Sequence, residues 1–360
     1  MNPLLQVKTQ GQQVWLDNLS RTLLNEGHLA RFIAEDGLSG ITTNPAIFHK
    51  AIADGQHYAE ELAHLRSTEL SAEERYEQLV IQDVQRACDL LLPTWIESRG
   101  SSGFVSLEVS PALAHDAEGT LAAGERLAAA VGRMNLLIKV PATAAGLQAI
   151  ENLVARGISV NVTLMFSLEH VEDVAAAYES GVRALIASGG DPSRVFSVAS
   201  LFLSRVDTHV DALLDELGGD ALALRGRTAV ALAKLAYQRY RERFHGAGFA
   251  DVQALGGRPQ HMLWASTSTK NPAYPDLLYV EPLVGPETIN TLPDATFAAL
   301  RDHGRIAATA TLEDGLEEAE AQFAALAALD INLNAVGETL QQNGLKQFDE
   351  AFAQLLKLTA

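Results

Sequence analysis

The 360-residue chain has one cysteine, no apolar run of membrane-spanning length, no Pro/Gly/Ser-rich linker, and only 27 Lys and Arg against 45 Asp and Glu. Each shortage excludes something. A lone thiol, Cys88, cannot close an internal disulfide, and its place in the helical-looking stretch 73–92 reads as a buried structural side chain without chemistry. A membrane helix would need about 20 consecutive apolar residues. The start, Met1-Asn2-Pro3-Leu4-Leu5-Gln6, lacks the basic residues and apolar core of a signal peptide, so the expected location is the cytoplasm. A formal charge of -18 speaks against a nucleic-acid surface or an anionic membrane as partner. The ten histidines include no His-Glu-x-x-His and no tight cluster near a strand end, so no metal is expected. The glycine-rich pieces 100–103, 189–190 and 256–257 lack the Lys-Ser/Thr of a phosphate-binding loop and read as turns.

What the chain does have is a rhythm. Short apolar, β-branched runs at 13–17, 38–42, 103–108, 135–140, 159–163, 195–200, 261–266 and 277–281 alternate with stretches of helical period at 19–35, 45–92 (a long pair), 117–132, 144–156, 168–187, 203–245 (two pieces) and after Pro286. Parallel strands need helical crossovers, and eight such units in one chain predict a closed (β/α)8 barrel, whose sheet has no exposed edge. Residues 312–360 are helical by period and are expected to pack on the barrel 1–311 as a C-terminal extension, the whole chain forming a single domain.

Within this rhythm Lys139 stands out, set in the apolar run Leu136-Leu137-Ile138-Lys139-Val140-Pro141. Taking a lysine out of water disfavours its charged form, by as much as ~3–5 pKa units, and yields an amine able to attack a carbonyl. Barrel enzymes place their chemistry at the C-terminal ends of the strands. Those ends carry Asp17, Thr42-Thr43-Asn44, Glu108, Lys139, the same-side pair Asn161 and Thr163, Ser200 followed by Arg205, and Ser266 through Lys270. A neutral lysine condenses with a ketone to an iminium, an electron sink that permits carbon–carbon cleavage without a metal. Asp17 is the candidate base for the hydroxyl whose collapse breaks that bond, and Glu108 with Thr163 the pair that manages water during imine formation and hydrolysis. Asn44 and Asn161 can hold hydroxyls without titrating, and Arg205 is suited to a phosphate because it can bind two oxygens at once. Despite the acidic total, a cation at contact distance outweighs carboxylates screened beyond roughly 8 Å.

The segments Gly40-Ile41-Thr42-Thr43-Asn44-Pro45-Ala46-Ile47-Phe48, Leu137-Ile138-Lys139-Val140-Pro141-Ala142-Thr143 and Gly157-Ile158-Ser159-Val160-Asn161-Val162-Thr163-Leu164-Met165-Phe166 together resemble the transaldolases, Schiff-base members of the class I aldolase superfamily. The likeness runs from about Val14 to about Val284, and the terminal helices resemble those of the longer members. It implies a circularly permuted (β/α)8 barrel with the reactive lysine on the fourth strand, and no cofactor. It makes Lys139 the Schiff-base residue, Asp17 the acid/base, Glu108 with Thr163 the holder of the catalytic water, and Asn44 and Asn161 the groups that orient a dihydroxyacetone unit. Ser200, Arg205 and Ser266 correspond to substrate and phosphate contacts, and Phe202 to an aromatic wall. Where the family has an arginine after the seventh strand, this chain has Lys270, which would bind phosphate as a point charge.

The implied reaction is reversible transfer of dihydroxyacetone from sedoheptulose 7-phosphate or fructose 6-phosphate to glyceraldehyde 3-phosphate or erythrose 4-phosphate, in the pentose phosphate pathway. The implied partners are small sugar phosphates, and the chain is expected to be a monomer or homodimer. Transfer requires water to be kept from the enamine, a task for Phe202 and the C-terminal helices through Phe348. The alternatives are a fructose 6-phosphate aldolase, which would not depend on an acceptor; a pyridoxal-phosphate barrel enzyme, which would absorb visible light; and a non-catalytic sugar-phosphate-binding barrel, which would keep Arg205 without needing Lys139.

Overall fold

The computed structural model describes residues 2–55 and 57–360. Helix α1 (Pro3–Thr9) precedes strand β1 (Gln12–Leu16); α2 (Arg21–Asn25) and α3 (His28–Asp36) lead to β2 (Gly40–Ile41). Three helices, α4 (Pro45–Ala53), α5 (Ala59–Arg66) and α6 (Ala72–Glu97), lead to β3 (Phe104–Glu108), and α7 (Ala117–Val131) leads to β4 (Leu136–Pro141). Then follow α8 (Ala144–Ala155), β5 (Val160–Met165), α9 (Leu168–Ala187), β6 (Ser197–Phe202), α10 (Ser204–Leu217), α11 (Thr228–Phe244), α12 (Ala250–Ala254) and β7 (His261–Ala265). The chain ends with β8 (Thr288–Leu292), α13 (Asp294–His303), α14 (Leu316–Ala328) and α15 (Leu333–Thr359). The strands form one closed parallel barrel in chain order, β8 pairing with β1 through Gln12↔Thr288 to Leu16↔Leu292. This is the expected (β/α)8 architecture, with further helices after it.

The expected eighth strand is in the wrong place. Residues 277–281 form turns that run into a short 3-10 helix at Glu281–Leu283, and the strand lies at Thr288–Leu292, inside the stretch after Pro286 expected to be helical. The run Leu277-Leu278-Tyr279-Val280 is apolar because most of it is buried as a plug, with the Tyr279 hydroxyl donating to Asp207 Oδ2 at 2.9 Å. The true strand, Thr288-Ile289-Asn290-Thr291-Leu292, hides its polarity by bonding it: Thr288 Oγ1 donates to Gly285 O at 2.5 Å and Asn290 Nδ2 to Tyr279 O at 3.0 Å.

Helix boundaries follow the local chemistry. Gly27, left-handed at φ 72°, splits the stretch 19–35 into α2 and α3. The expected pair in 45–92 is three helices, and the last, opened by a Ser71/Glu74 capping box, continues through Pro93 to Glu97. Cys88 is buried in α6, and burial pushes its thiol pKa up, away from reactivity. A charged cluster is also buried there: Arg21 Nε donates to Asp83 Oδ1 at 2.9 Å and the Tyr58 hydroxyl to Asp83 Oδ2 at 2.8 Å.

The long α15 returns to the barrel. Its end docks on α6, where Thr359 Oγ1 donates to Ala72 O at 2.8 Å and Phe352 meets Tyr76 edge-on at 5.6 Å between centroids. Among the described residues no helix is long and apolar enough to cross a membrane, and no group of three or more His, Cys, Asp or Glu is placed to hold a metal ion.

Helix α8 meets β4 so closely that one position excludes any side chain. A Cβ on Gly146 would collide with the Pro141 carbonyl oxygen, two residues past Lys139. Gly146→Ala should therefore lower stability by about 1–3 kcal/mol, as other overpacked sites do. Thermal unfolding checks this, and an unchanged midpoint would mean that α8 moves away freely.

Candidate active site

The barrel register assembles the site before any loop is considered. Glu108 on β3 lies opposite Lys139 on β4, and Lys139 lies opposite Asn161 on β5. One row across three strands thus carries a carboxylate, an amine and an amide. Lys139 is buried, and its Nζ donates to Glu108 Oε2 at 3.1 Å and to the Thr43 carbonyl oxygen at 2.9 Å. The Thr43 carbonyl is available because β2 ends at Ile41 and the chain turns into α4, which Asn44 caps.

Burial dominates the two carboxylates. It raises Glu108 from an ordinary 4.5 to about 7, with the nearby Lys139 pulling the other way and Asp17 adding to the rise. Asp17, just past β1, is likewise raised by burial, opposed by Lys139 and by the Thr42 hydroxyl, which donates to Asp17 Oδ1 at 2.6 Å. Thr42 in turn shares a 2.6 Å contact with the Thr291 hydroxyl of β8. Two acids and one amine therefore sit together with carboxyl pKa values above their usual range, the pattern expected of acid/base groups.

A cavity of about 140 Å³ opens on this cluster, lined by Asp17, Asn44, Lys139, Thr163, Ser200, Phe202, Arg205, Ser266 and Lys270, nine of the eleven residues expected from the sequence. Larger hollows exist; one of about 610 Å³ lies at the N-terminal ends of β3, β4 and β5, the face of a barrel that serves stability. Glu108 and Asn161 do not line the 140 Å³ cavity. Glu108 reaches it through Lys139, while Asn161 is fully buried, its Nδ2 donating to Ser106 Oγ at 2.9 Å and its Oδ1 accepting from Ser200 Oγ at 2.7 Å. Asn44 spends its side-chain oxygen on the α4 cap, accepting from Ile47 N at 3.0 Å, which leaves the amide N–H groups to offer.

Thr163 and Arg205 each keep an unused polar atom. Thr163 Oγ1 and Arg205 Nη1 are buried without a hydrogen-bond partner among the described residues. Arg205 lies over the Phe202 ring at 5.4 Å, and burial alone pushes its pKa below the ordinary arginine value. A guanidinium in this condition is prepared for an anion. Lys270 is exposed at the rim, where its Nζ donates to Ser268 Oγ at 2.6 Å, and Ser266 holds a left-handed φ of 55° with its hydroxyl 2.9 Å from that of Ser204.

The sequence reading missed Thr291, because its strand was misplaced, and gave no role to Thr42 or Ser268, which also line the cavity. Phe348 of α15, expected only as a means of closure, lines the same cavity with its ring centroid 5.6 Å from Lys139 Nζ.

The family profile described as Transaldolase/Fructose-6-phosphate aldolase matches residues 14–359. A protein named transaldolase from Thiobacillus denitrificans is 54% identical over 357 residues, covering 99% of both chains. Another so named, from Neisseria gonorrhoeae, is 49% identical over 356 residues and again covers 99% of each chain. One from Frankia alni is 45% identical over 356 residues, 99% of this chain and 96% of its own. With a full-length match of this kind laid over an eight-stranded barrel and a buried lysine between two carboxylates, the chain belongs to the transaldolase/fructose-6-phosphate aldolase family and has transaldolase activity.

Proposed function

We propose that this transaldolase activity runs through a Schiff base on Lys139, moving a dihydroxyacetone unit from sedoheptulose 7-phosphate or fructose 6-phosphate to glyceraldehyde 3-phosphate or erythrose 4-phosphate in the cytoplasm. The observation that carries the reading is the buried Lys139 amine, 3.1 Å from Glu108 and facing a cavity shared with Asp17 and Arg205.

In this mechanism the amine gives a proton to Glu108 and attacks the ketose carbonyl. The carbinolamine oxygen leaves as water, protonated from Glu108 through a water held at Thr163 Oγ1. Asp17 takes the proton of the hydroxyl on the far carbon of the bond to be broken. That carbon–carbon bond cleaves, its electron pair enters the iminium to give an enamine, and the aldose phosphate departs. The acceptor aldehyde enters, the enamine attacks it, and Asp17 returns its proton to the new alkoxide. Water, activated by Glu108, then hydrolyses the iminium. Glu108, raised to about 7, suits a group that both accepts and returns protons near neutrality, and the rise of Asp17 is in the same direction.

Arg205, with Lys270 at the rim, is assigned to the phosphate. Asn44 and Ser200 are assigned to hydroxyls, and Asn161 acts behind Ser200. Phe202 packs against Phe166 at 5.2 Å, and with Phe348 it roofs the site, so the enamine is shielded from solvent until the acceptor arrives. This roof and the full-length match favour transfer over simple aldol cleavage, and acceptor-dependent turnover separates the two. Residues 312–360 act in this proposal as the extension that completes a barrel of residues 1–311.

Borohydride reduction with fructose 6-phosphate should add a dihydroxyacetone-derived mass at Lys139, found by peptide mapping, and Lys139→Ala should lose the adduct and all but about a hundredth of turnover while remaining folded. An adduct elsewhere would defeat the assignment. Asp17→Asn should still be trapped but slow cleavage by ~10²–10⁴, the range for a lost acid/base group; loss of trapping would move Asp17 to the imine step. Glu108 also leaves a thermodynamic mark. Folded, it holds its proton more tightly than unfolded, so its contribution is full below pH 4.5 and is lost as pH rises through about 7. Urea unfolding across that window should show falling stability, of which Glu108→Gln removes ~3 kcal/mol while Asp17 keeps its own share, and an equal slope in the variant would contradict the raised value.

A further inference from the structure

Strand β5 does not end regularly. Its register with β6 shifts between Val162 and Met165, and Leu164 sits at φ 61°, a left-handed conformation that a leucine adopts only when its surroundings enforce it. A bulge next to a catalytic group re-aims a side chain. Here the side chain before the irregular residue is Thr163, the cavity hydroxyl with no partner of its own.

What enforces the bulge comes from the far end of the chain. Gln341, buried on α15, donates its side-chain amide to Leu164 O at 3.1 Å and to Ala142 O at 2.9 Å. The two N–H groups of one amide therefore bridge the C-terminal ends of β5 and β4. Ala142 lies three residues beyond Lys139, and its own N–H donates to Thr163 O at 2.8 Å, which closes a loop of hydrogen bonds around the strand ends that carry both residues.

Around Gln341 the helix is shaped for this approach. Gly337, Gln341, Gly344 and Phe348 recur on one helical face. A Cβ on Gly337 would stand 2.8 Å from Ser167 Cβ, and one on Gly344 would stand 2.8 Å from Leu164 Cδ2. Both glycines let α15 lie close enough for a glutamine to reach two carbonyls at once. One turn before Gln341, Glu338 Oε1 lies 2.9 Å from His170 Nε2, whose other ring nitrogen, Nδ1, accepts from Phe166 N at 3.1 Å just past the bulge.

We infer that Gln341 is a positioning residue for Thr163: its side-chain amide holds Leu164 in the left-handed conformation that turns the Thr163 hydroxyl toward the Lys139 imine. The inference rests on the Schiff-base reading above. It assigns α15 a second task besides roofing, since Gln341 does not line the cavity and acts only through the strands.

The test is a double-mutant cycle on the whole enzyme, with Gln341→Met, Thr163→Val and the pair. Gln341→Met keeps the length and removes both donors. It should lower kcat by about 10- to 100-fold, with KM for fructose 6-phosphate changing less than about threefold because Arg205 is untouched, and borohydride trapping should slow in parallel. In the Thr163→Val background the same change should cost less than about twofold, since its route is already gone. Losses that multiply in the pair, or a KM that rises with kcat intact, would overturn the inference and leave Gln341 a packing residue.

If Gln341→Met does not fold, Gln341→Glu carries the test. Protonated, it can donate to one of the two carbonyls; ionised, it can donate to neither. Its kcat relative to the native enzyme should rise as pH falls, and a constant ratio would count against the proposal. Failure of the underlying reading looks different: the native enzyme itself would then give no adduct on Lys139.

Discussion

The rest of the site depends on a charge held inside a barrel. A lysine at the inner end of a strand has lost water on every side, and in this fold the replacement oxygens come from its neighbours in register: Glu108 across the β3–β4 ladder and the Thr43 carbonyl where β2 turns into a helix. The barrel's closure makes this possible, because a closed sheet gives every strand two partners and fixes their stagger. Lys139 opposes the rise that burial imposes on Glu108 and Asp17, while Asp17 adds to the rise of Glu108 and Asp294 to that of Asp17. Removing the Lys139 charge would therefore leave burial of the two carboxyls unopposed by their nearest cation.

Beside this cluster the cationic side of the cavity, assigned to phosphate in the proposed mechanism, is arranged on a different principle. Among the described residues Arg205 has no carboxylate partner, in a chain whose formal charge is -18, and it rests on an aromatic face. Ion pairing would have neutralised it and made an anionic substrate compete with a resident carboxylate. The acidic surface and the unpaired guanidinium are therefore compatible: the first acts at distances that salt screens, the second at contact. Lys270 at the rim is exposed and, among the described residues, donates to Ser268 alone, the freedom that its proposed phosphate role requires.

Much of this was legible in the sequence, and the parts that were not share a cause. Lys139 was conspicuous because an isolated cation in an apolar run violates the local pattern, and the polar residues at seven strand ends were visible for the same reason. The eighth strand was not, since Thr288, Asn290 and Thr291 make a buried strand look like a loop, while the buried plug around Leu277 and Tyr279 looks like a strand. Hydropathy reports burial and is silent about hydrogen bonds that make polar burial tolerable. Asn161 was expected from its strand position to be a site residue, yet it does not line the cavity and its amide is engaged by Ser106 and Ser200, which no spacing rule foretells. Gln341 gave no local signal at all. A glutamine on an amphipathic helix is ordinary, and its meaning lies in two carbonyls roughly 180 and 200 residues away.

The order in which the chain is made sets the order in which the site is completed. β1 has no partner for its outer edge until β8 has been synthesised, and the cavity lacks one wall until Phe348 has followed. The Lys139 amine is thus in the nascent chain about 200 residues before the helix that covers it, an interval of ~10–40 s at typical synthesis rates of ~5–20 residues per second. For the first part of that interval, until β8 has followed, the barrel around Lys139 cannot close. The place of α15 in the chain therefore makes its synthesis the step that converts a strand-borne amine into an enclosed one, and a chain cut before it would carry that amine uncovered.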